Sequence, residues 1–147
     1  MDITVKRFND LTTAELYEIL RCRAEVFVVE QQATYQDLDC HDFSSTHLFI
    51  KEGDRILAYM RVVDPGEKFP SASIGRVLTM KDARGHGYAR QLLTRAIAIA
   101  KTLSPTIEIE AQTYLIDFYQ SMGFQPTSDT FILDGLPHIS MIHPADK

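Results

Sequence analysis

Lys81-Asp82-Ala83-Arg84-Gly85-His86-Gly87-Tyr88-Ala89 is the stretch that decides the fold. It follows a run that reads as a strand, residues 73–79. It precedes a helical pattern that carries Leu92, Leu93, Ala96, Ile97 and Ala100 on one face. A helix N-terminus offers unpaired N–H groups and a partial positive charge. Glycine lets such amides approach an anion with no Cβ in the way. Strand, glycine turn and helix together predict a nest for a phosphate or diphosphate. The glycines are not followed by Lys-Ser or Lys-Thr, which argues against a Walker A loop. Arg90 stands where a dinucleotide fingerprint needs its third small residue, so a Rossmann site would lose its close helix–strand packing. On this segment alone, a plain strand-to-helix turn is the competing reading.

Outward toward the N-terminus, residues 2–8 alternate as a strand. Thr12 and Glu15 have capping-box spacing and open a helix that runs to about Glu30. Residues 33–45 read as a long acidic loop. Residues 47–51 and 55–64 form a hairpin around Glu52-Gly53-Asp54. On the other side Pro105 ends the long helix. Residues 106–112 form a strand and residues 114–122 a helix, with Gly123 as its C′ residue. A strand begins at Phe124, Asp134-Gly135 marks a hairpin turn, and residues 138–142 form the last strand. The order β-α-β-β-β-α-β-α-β-β predicts an α/β chain, a mixed sheet with helices on both faces.

The 147 residues suit one domain, residues 1–147. Hydrophobic residues make up 45% and charged residues 24%, as in an ordinary globular chain. A net charge of −5 without a basic run argues against general nucleic-acid binding. Cys22 and Cys40 fit neither a zinc motif nor a disulfide framework and read as reduced thiols. His41 and its neighbouring aspartates lack the spacing of a metal site. The first twenty residues lack a signal-peptide apolar region, and no apolar run approaches the ~18 residues of a membrane span. A cytoplasmic location with no membrane partner is the expectation.

Arg84-x-x-Gly87-x-Ala89 resembles the Q/R-x-x-G-x-G/A diphosphate motif of the GNAT N-acetyltransferases. Phe118-Tyr119-Gln120-Ser121-Met122-Gly123-Phe124 is similar to that family's (L/F)-Y-x-x-x-G-F signature. The whole chain resembles the ElaA-like branch. The resemblance runs through Arg23-Ala24-Glu25-Val26-Phe27-Val28-Val29-Glu30-Gln31, Tyr35-Gln36-Asp37-Leu38-Asp39, Ile74-Gly75-Arg76-Val77 and Asp134-Gly135-Leu136-Pro137-His138-Ile139.

The resemblance implies the acyl-CoA N-acyltransferase fold and acetyl-CoA as the acyl donor. The donor's pantetheine arm would lie along Val77, Leu78 and Thr79. Its diphosphate would lie on Arg84, Gly85, His86, Gly87, Tyr88 and Ala89. Gln112 stands where many members carry Asn, beside the cofactor. A backbone N–H near Leu78 would polarise the thioester carbonyl, and Tyr119 would protonate the leaving thiolate.

Glu110 alternates with Ile109 on its strand, with Arg76 expected to face it; the pair reads either as the candidate base beside the acceptor or as a structural ion pair without catalytic work. The acceptor wall is expected from Arg23, Phe27, Glu30, Gln31, Tyr35 and Arg76. Asp37, Asp39 and Asp42 either attract a cationic amine or form a solvated loop. His47 and His138 read as structural. Protein lysine, protein N-terminus, polyamine and small metabolite amines all fit as acceptor, and the pattern leaves acyl length and homodimerisation open. An acyl-CoA-binding module without turnover is the alternative, and the phenol of Tyr119 favours the enzyme.

Overall fold

The structure, a computed structural model, describes residues 1–146. Strand β1 (Thr4–Arg7) leads through a short turn to helix α1 (Thr13–Arg23). The capping box forms: Glu15 N–H donates to Thr12 Oγ1 (3.0 Å) and Thr12 N–H to Glu15 Oε1 (2.9 Å). The helix does continue to Glu30, but over Ala24–Glu30 it widens into π-helical turns. Such turns are rare and tend to mark functional sites. This one sends Val26, Phe27, Glu30 and Gln31 into the cavities described below.

Strands β2 (Ser45–Glu52), β3 (Arg55–Val63) and β4 (Ser73–Thr79) join β1 in an antiparallel sheet of order β1-β2-β3-β4. Every residue of β3 after Arg55 is buried. Successive strand side chains point to opposite faces, so both faces are covered. Helix α1 and helix α2 (Tyr88–Leu103) pack on this sheet. The expected face of α2 supplies Leu92, Leu93, Ala96 and Ala100 to the core, and Ile97 is half-buried beside it.

A second antiparallel sheet holds β5 (Ile107–Gln112), β8 (Leu136–His143) and β6 (Gln125–Pro126), with β7 (Phe131–Leu133) also on β8. The two sheets meet where β4 and β5 run parallel, at the single bridge Ala72↔Ile107. The sheet is therefore mixed, as the element order predicts. Beyond that bridge the strands part, and the cleft between their far ends is the site.

Two details differ from the sequence pattern. The helix expected over residues 114–122 is a 3-10 turn, Thr113–Leu115, followed by α3 (Ile116–Ser121). The strand expected from Phe124 shrinks to two residues, because Phe124 turns into the core instead. Gly123 closes α3 at φ +98°, and a Cβ there would stand 2.7 Å from His143 Nε2. Both the left-handed backbone and the close ring require glycine. Asp134 (φ +53°) and Gly135 (φ +78°) make the two-residue β7–β8 turn.

Candidate active site

Gly87 is the N-cap of α2 at φ +77°, and Gly85 sits at φ +86°. A Cβ on either would meet nothing within 4 Å, so the space above the turn is open. No side chain caps α2. The N–H groups of residues 86–90 have no acceptor among the described residues. The 16-residue α2 adds its dipole at the same place. These features surround a cavity of about 200 Å³ lined by Thr79, Arg84, Gly85, Gly87, Ala89 and Phe118. Unpaired amides at a left-handed turn on a helix N-terminus are the physical basis of diphosphate binding, so the residues fit the group the motif implies. Rings of His86 and Tyr88 stack at 5.6 Å beside the turn.

The cradle shares Thr79, Arg84, Ala89 and Phe118 with a groove of about 660 Å³. Val77, Leu78 and Thr79 form one wall of the groove; Gln112, Leu115 and Phe118 form the other. Strand β4 pairs with β3 through Ala58↔Thr79 and Tyr59↔Leu78. Its opposite edge has left β5 by this point, which frees backbone groups for an extended ligand. The register of β4 slips against β3 between Tyr59 and Arg61, and Arg76 there adopts φ +53°. Bulges of this kind re-aim side chains beside functional sites.

Arg84 is not free to offer its charge to an anion, as the motif suggested. Its Nη1 lies 2.8 Å from Glu30, and its Nε–H donates to the Thr79 carbonyl (3.0 Å). Glu30, expected on the acceptor wall, instead borders the groove beside the glycine turn. The Arg84 guanidinium holds the Glu30 carboxyl below its ordinary range.

The groove shares Gln31, Val77, Gln112, Leu115 and Leu136 with a narrower cavity of about 110 Å³. Cradle, groove and inner cavity thus adjoin in series through shared lining residues. At the junction Gln31 and Gln112 exchange two amide hydrogen bonds, at 3.4 and 3.3 Å. The inner cavity brings Phe27, Gln31, Tyr35 and Arg76 together with Glu110, Gln112, Tyr119 and His138. Tyr119 is buried, with Phe118 and Phe124 rings at 5.4 and 5.6 Å. Its hydroxyl has no hydrogen-bond partner among the described residues. Burial pushes the phenol up, so it keeps its proton at neutral pH.

The expected Arg76–Glu110 pair does not form. Arg76 Nε lies 2.9 Å from Asp37 and its Nη2 lies 3.2 Å from Asp39, while the Tyr35 ring covers the guanidinium at 5.6 Å. The left-handed backbone at Arg76 turns the side chain toward that segment. Glu110 instead meets Lys68 at 3.1 Å. Arg23 is not part of the wall either: it is fully buried, 2.7 Å from Asp42 and 2.9 Å from Asp37.

Nor are the three aspartates a solvated loop or an open lure for amines. Arg23, Arg61 and Arg76 neutralise them, with Arg61 on both Asp39 and Asp42. Burial opposes ionisation of Asp39 and Asp42. The hydrogen bonds and charge of the arginines outweigh it and hold both carboxyls below the usual range. Arg61 escaped the sequence reading. Its signal was present, as a charge inside an apolar strand cannot be buried without a partner. His47 is structural: Nε2–H donates to the Asp42 carbonyl (3.0 Å), and Nδ1 accepts from Tyr59 (2.6 Å).

The chain belongs to the acetyltransferase (GNAT) domain family, whose model matches residues 10–143. A UPF0039 protein of Synechocystis is 39% identical over 140 residues, 93% of this chain and 91% of that protein. An acyl-CoA N-acyltransferase from Pseudomonas aeruginosa superposes with a TM-score of 0.90 at 37% identity, covering 97% of this chain and 99% of that one. Escherichia coli ElaA superposes with a TM-score of 0.89 at 32% identity, covering 97% and 98%.

Proposed function

We propose that this chain, acting as one acyltransferase domain, transfers an acetyl group from acetyl-CoA to an amine within a ternary complex. One observation carries the reading: the unpaired amides of residues 86–90 border a cradle that adjoins, through shared lining residues, a groove and then an inner cavity that Tyr119 lines. A diphosphate on those amides and a pantetheine arm along Val77, Leu78 and Thr79 would direct the thioester toward that phenol. A backbone N–H near Leu78 would polarise the carbonyl. Tyr119 keeps its proton at neutral pH, which suits a donor to the leaving thiolate. Gln112 borders both groove and inner cavity and would contact the donor where they join. Glu110, the expected base, is paired with Lys68.

A module that binds acyl-CoA without turnover would need no phenol there. Thiol release from acetyl-CoA with an amine panel, run beside a thermal shift with CoA, separates the two. Stabilisation by CoA together with amine-dependent thiol release supports the enzyme. Stabilisation with no release from any amine supports the module, and no response to CoA removes both.

A further inference from the structure

An amine in water is mostly ammonium, with no lone pair to attack a carbonyl. A base at the site would raise the fraction of bound acceptor that can react. Seven titratable groups border the inner cavity, and their partners narrow the choice. Tyr35 and Tyr119 are phenols that burial pushes up, so they are proton donors. Arg76 on β4 and Lys68 on the loop before it are cations. Glu110 on β5 is held by Lys68. Asp134 lies in the exposed β7–β8 turn. His138 on β8 is left.

His138 is buried, opposite Gln112 of β5 and Phe131 of β7. Its ring stacks on Phe131 with centroids 6.2 Å apart and planes 24° apart. Its Nδ1 lies 2.8 Å from the carbonyl oxygen of Leu136. A carbonyl can only accept, so Nδ1 carries the hydrogen and neutral His138 has its lone pair on Nε2. Nε2 has no partner among the described residues, and it is not one of the fully enclosed unpartnered atoms. The ring therefore has one nitrogen fixed by backbone and the other unpartnered among the described residues, on a side chain that lines the cavity. His47 shows the contrast: both of its nitrogens are taken by protein groups.

We propose that His138 Nε2 is the general base that deprotonates the acceptor ammonium, a role that rests on the amine-acetylation reading above. The first ammonium proton passes to Nε2 and on to solvent. The nitrogen lone pair then forms the N–C bond as the C–S bond breaks. The thiolate takes the phenol proton of Tyr119, and the second nitrogen proton restores the phenol. The balance is ammonium plus thioester giving amide, thiol and one released proton. A neutral imidazole nitrogen with a free lone pair can accept a proton from an ammonium held against it.

His138→Asn keeps a donor for the Leu136 carbonyl and removes the base. The expected result is a fall in kcat/KM for the amine of about 10²- to 10⁴-fold at pH 7. The loss shrinks at high pH, where the free amine becomes abundant. CoA affinity stays within about twofold, since the ring is not in the cradle. Glu110→Gln should keep the acidic limb of the pH–rate profile, and His138→Asn should lose it. Nitrogen NMR of the wild-type imidazole gives a readout that needs neither turnover nor a folded variant, and should show the proton on Nδ1. A proton on Nε2 in neutral His138, or a His138→Asn enzyme with wild-type rate and pH profile, overturns the proposal. Failure of the wild type to bind CoA would instead remove the reading beneath it.

Discussion

Arg84 and Glu30 hold each other across the mouth of the donor groove, with Nη1 and Oε2 2.8 Å apart. The pair joins the π-helical end of the first helix to the turn that leads into α2. Both side chains are substantially exposed, so the bond itself adds little stability, of the order of 0–1 kcal/mol. Its effect falls on the ligand. In the proposed complex the carboxylate would face a polyanion, while the guanidinium is already paired.

Glu30→Gln should therefore tighten CoA binding, because it removes a negative charge and releases Arg84. A gain of about two- to fivefold corresponds to the ~0.5–1 kcal/mol of an exposed charge effect. Calorimetric titration with CoA at low salt measures it. Weaker binding would mean that Glu30 contacts the ligand favourably or supports the groove.

Tyr119→Phe should lower kcat by about 10²-fold or more while leaving CoA affinity unchanged. The hydroxyl has no partner among the described residues, so thermal stability should stay within ~0.5 kcal/mol of wild type. Unchanged turnover with every amine would remove Tyr119 as the acid.

Asp42→Asn should be among the most damaging substitutions outside the apolar core. Asp42 lies 2.7 Å from Arg23 and 2.9 Å from Arg61, both almost wholly buried. Breaking a buried pair costs about 3–5 kcal/mol because a charge is left without compensation. Urea unfolding at pH 7 reads the loss directly.

The same cluster sets the acid limit of the fold. Asp39 and Asp42 have folded-state pKa values depressed below the unfolded value of about 3.9. Their contribution is fully present above that value and is lost as pH falls through the folded values. Wild-type stability should hold near neutrality and decline below about pH 4. Asp39→Asn should be less stable at pH 7 and show a shallower decline. A parallel decline in both proteins would place the acid sensitivity elsewhere.

Much of the fold was legible because the chain uses local chemistry openly. The capping box at Thr12 and Glu15, the turn at Asp134-Gly135 and Gly123 beyond α3 all formed as their residue types require. The glycine turn before α2 was legible for the same reason. What the sequence did not yield depends on contacts far apart in the chain. Arg23 read as part of the acceptor wall and Arg61 escaped notice until the fold places both on Asp42, about twenty residues away in opposite directions. The turn of Arg76 away from Glu110 depends on a register slip in β4, and no residue type announces a slip. His138 read as structural because its half-satisfied ring is visible only once Leu136 and the cavity are in place.

On the proposed function, main-chain amides of residues 86–90 would grip the diphosphate of a coenzyme A thioester. Amide NMR of the uniformly labelled protein, titrated with CoA, tests it most directly. The N–H signals of residues 86–90 should show the largest downfield shifts, saturating with the ligand, and Gly87→Val should abolish them. Saturable binding that left those amides unmoved, or shifts clustered on another face, would contradict it.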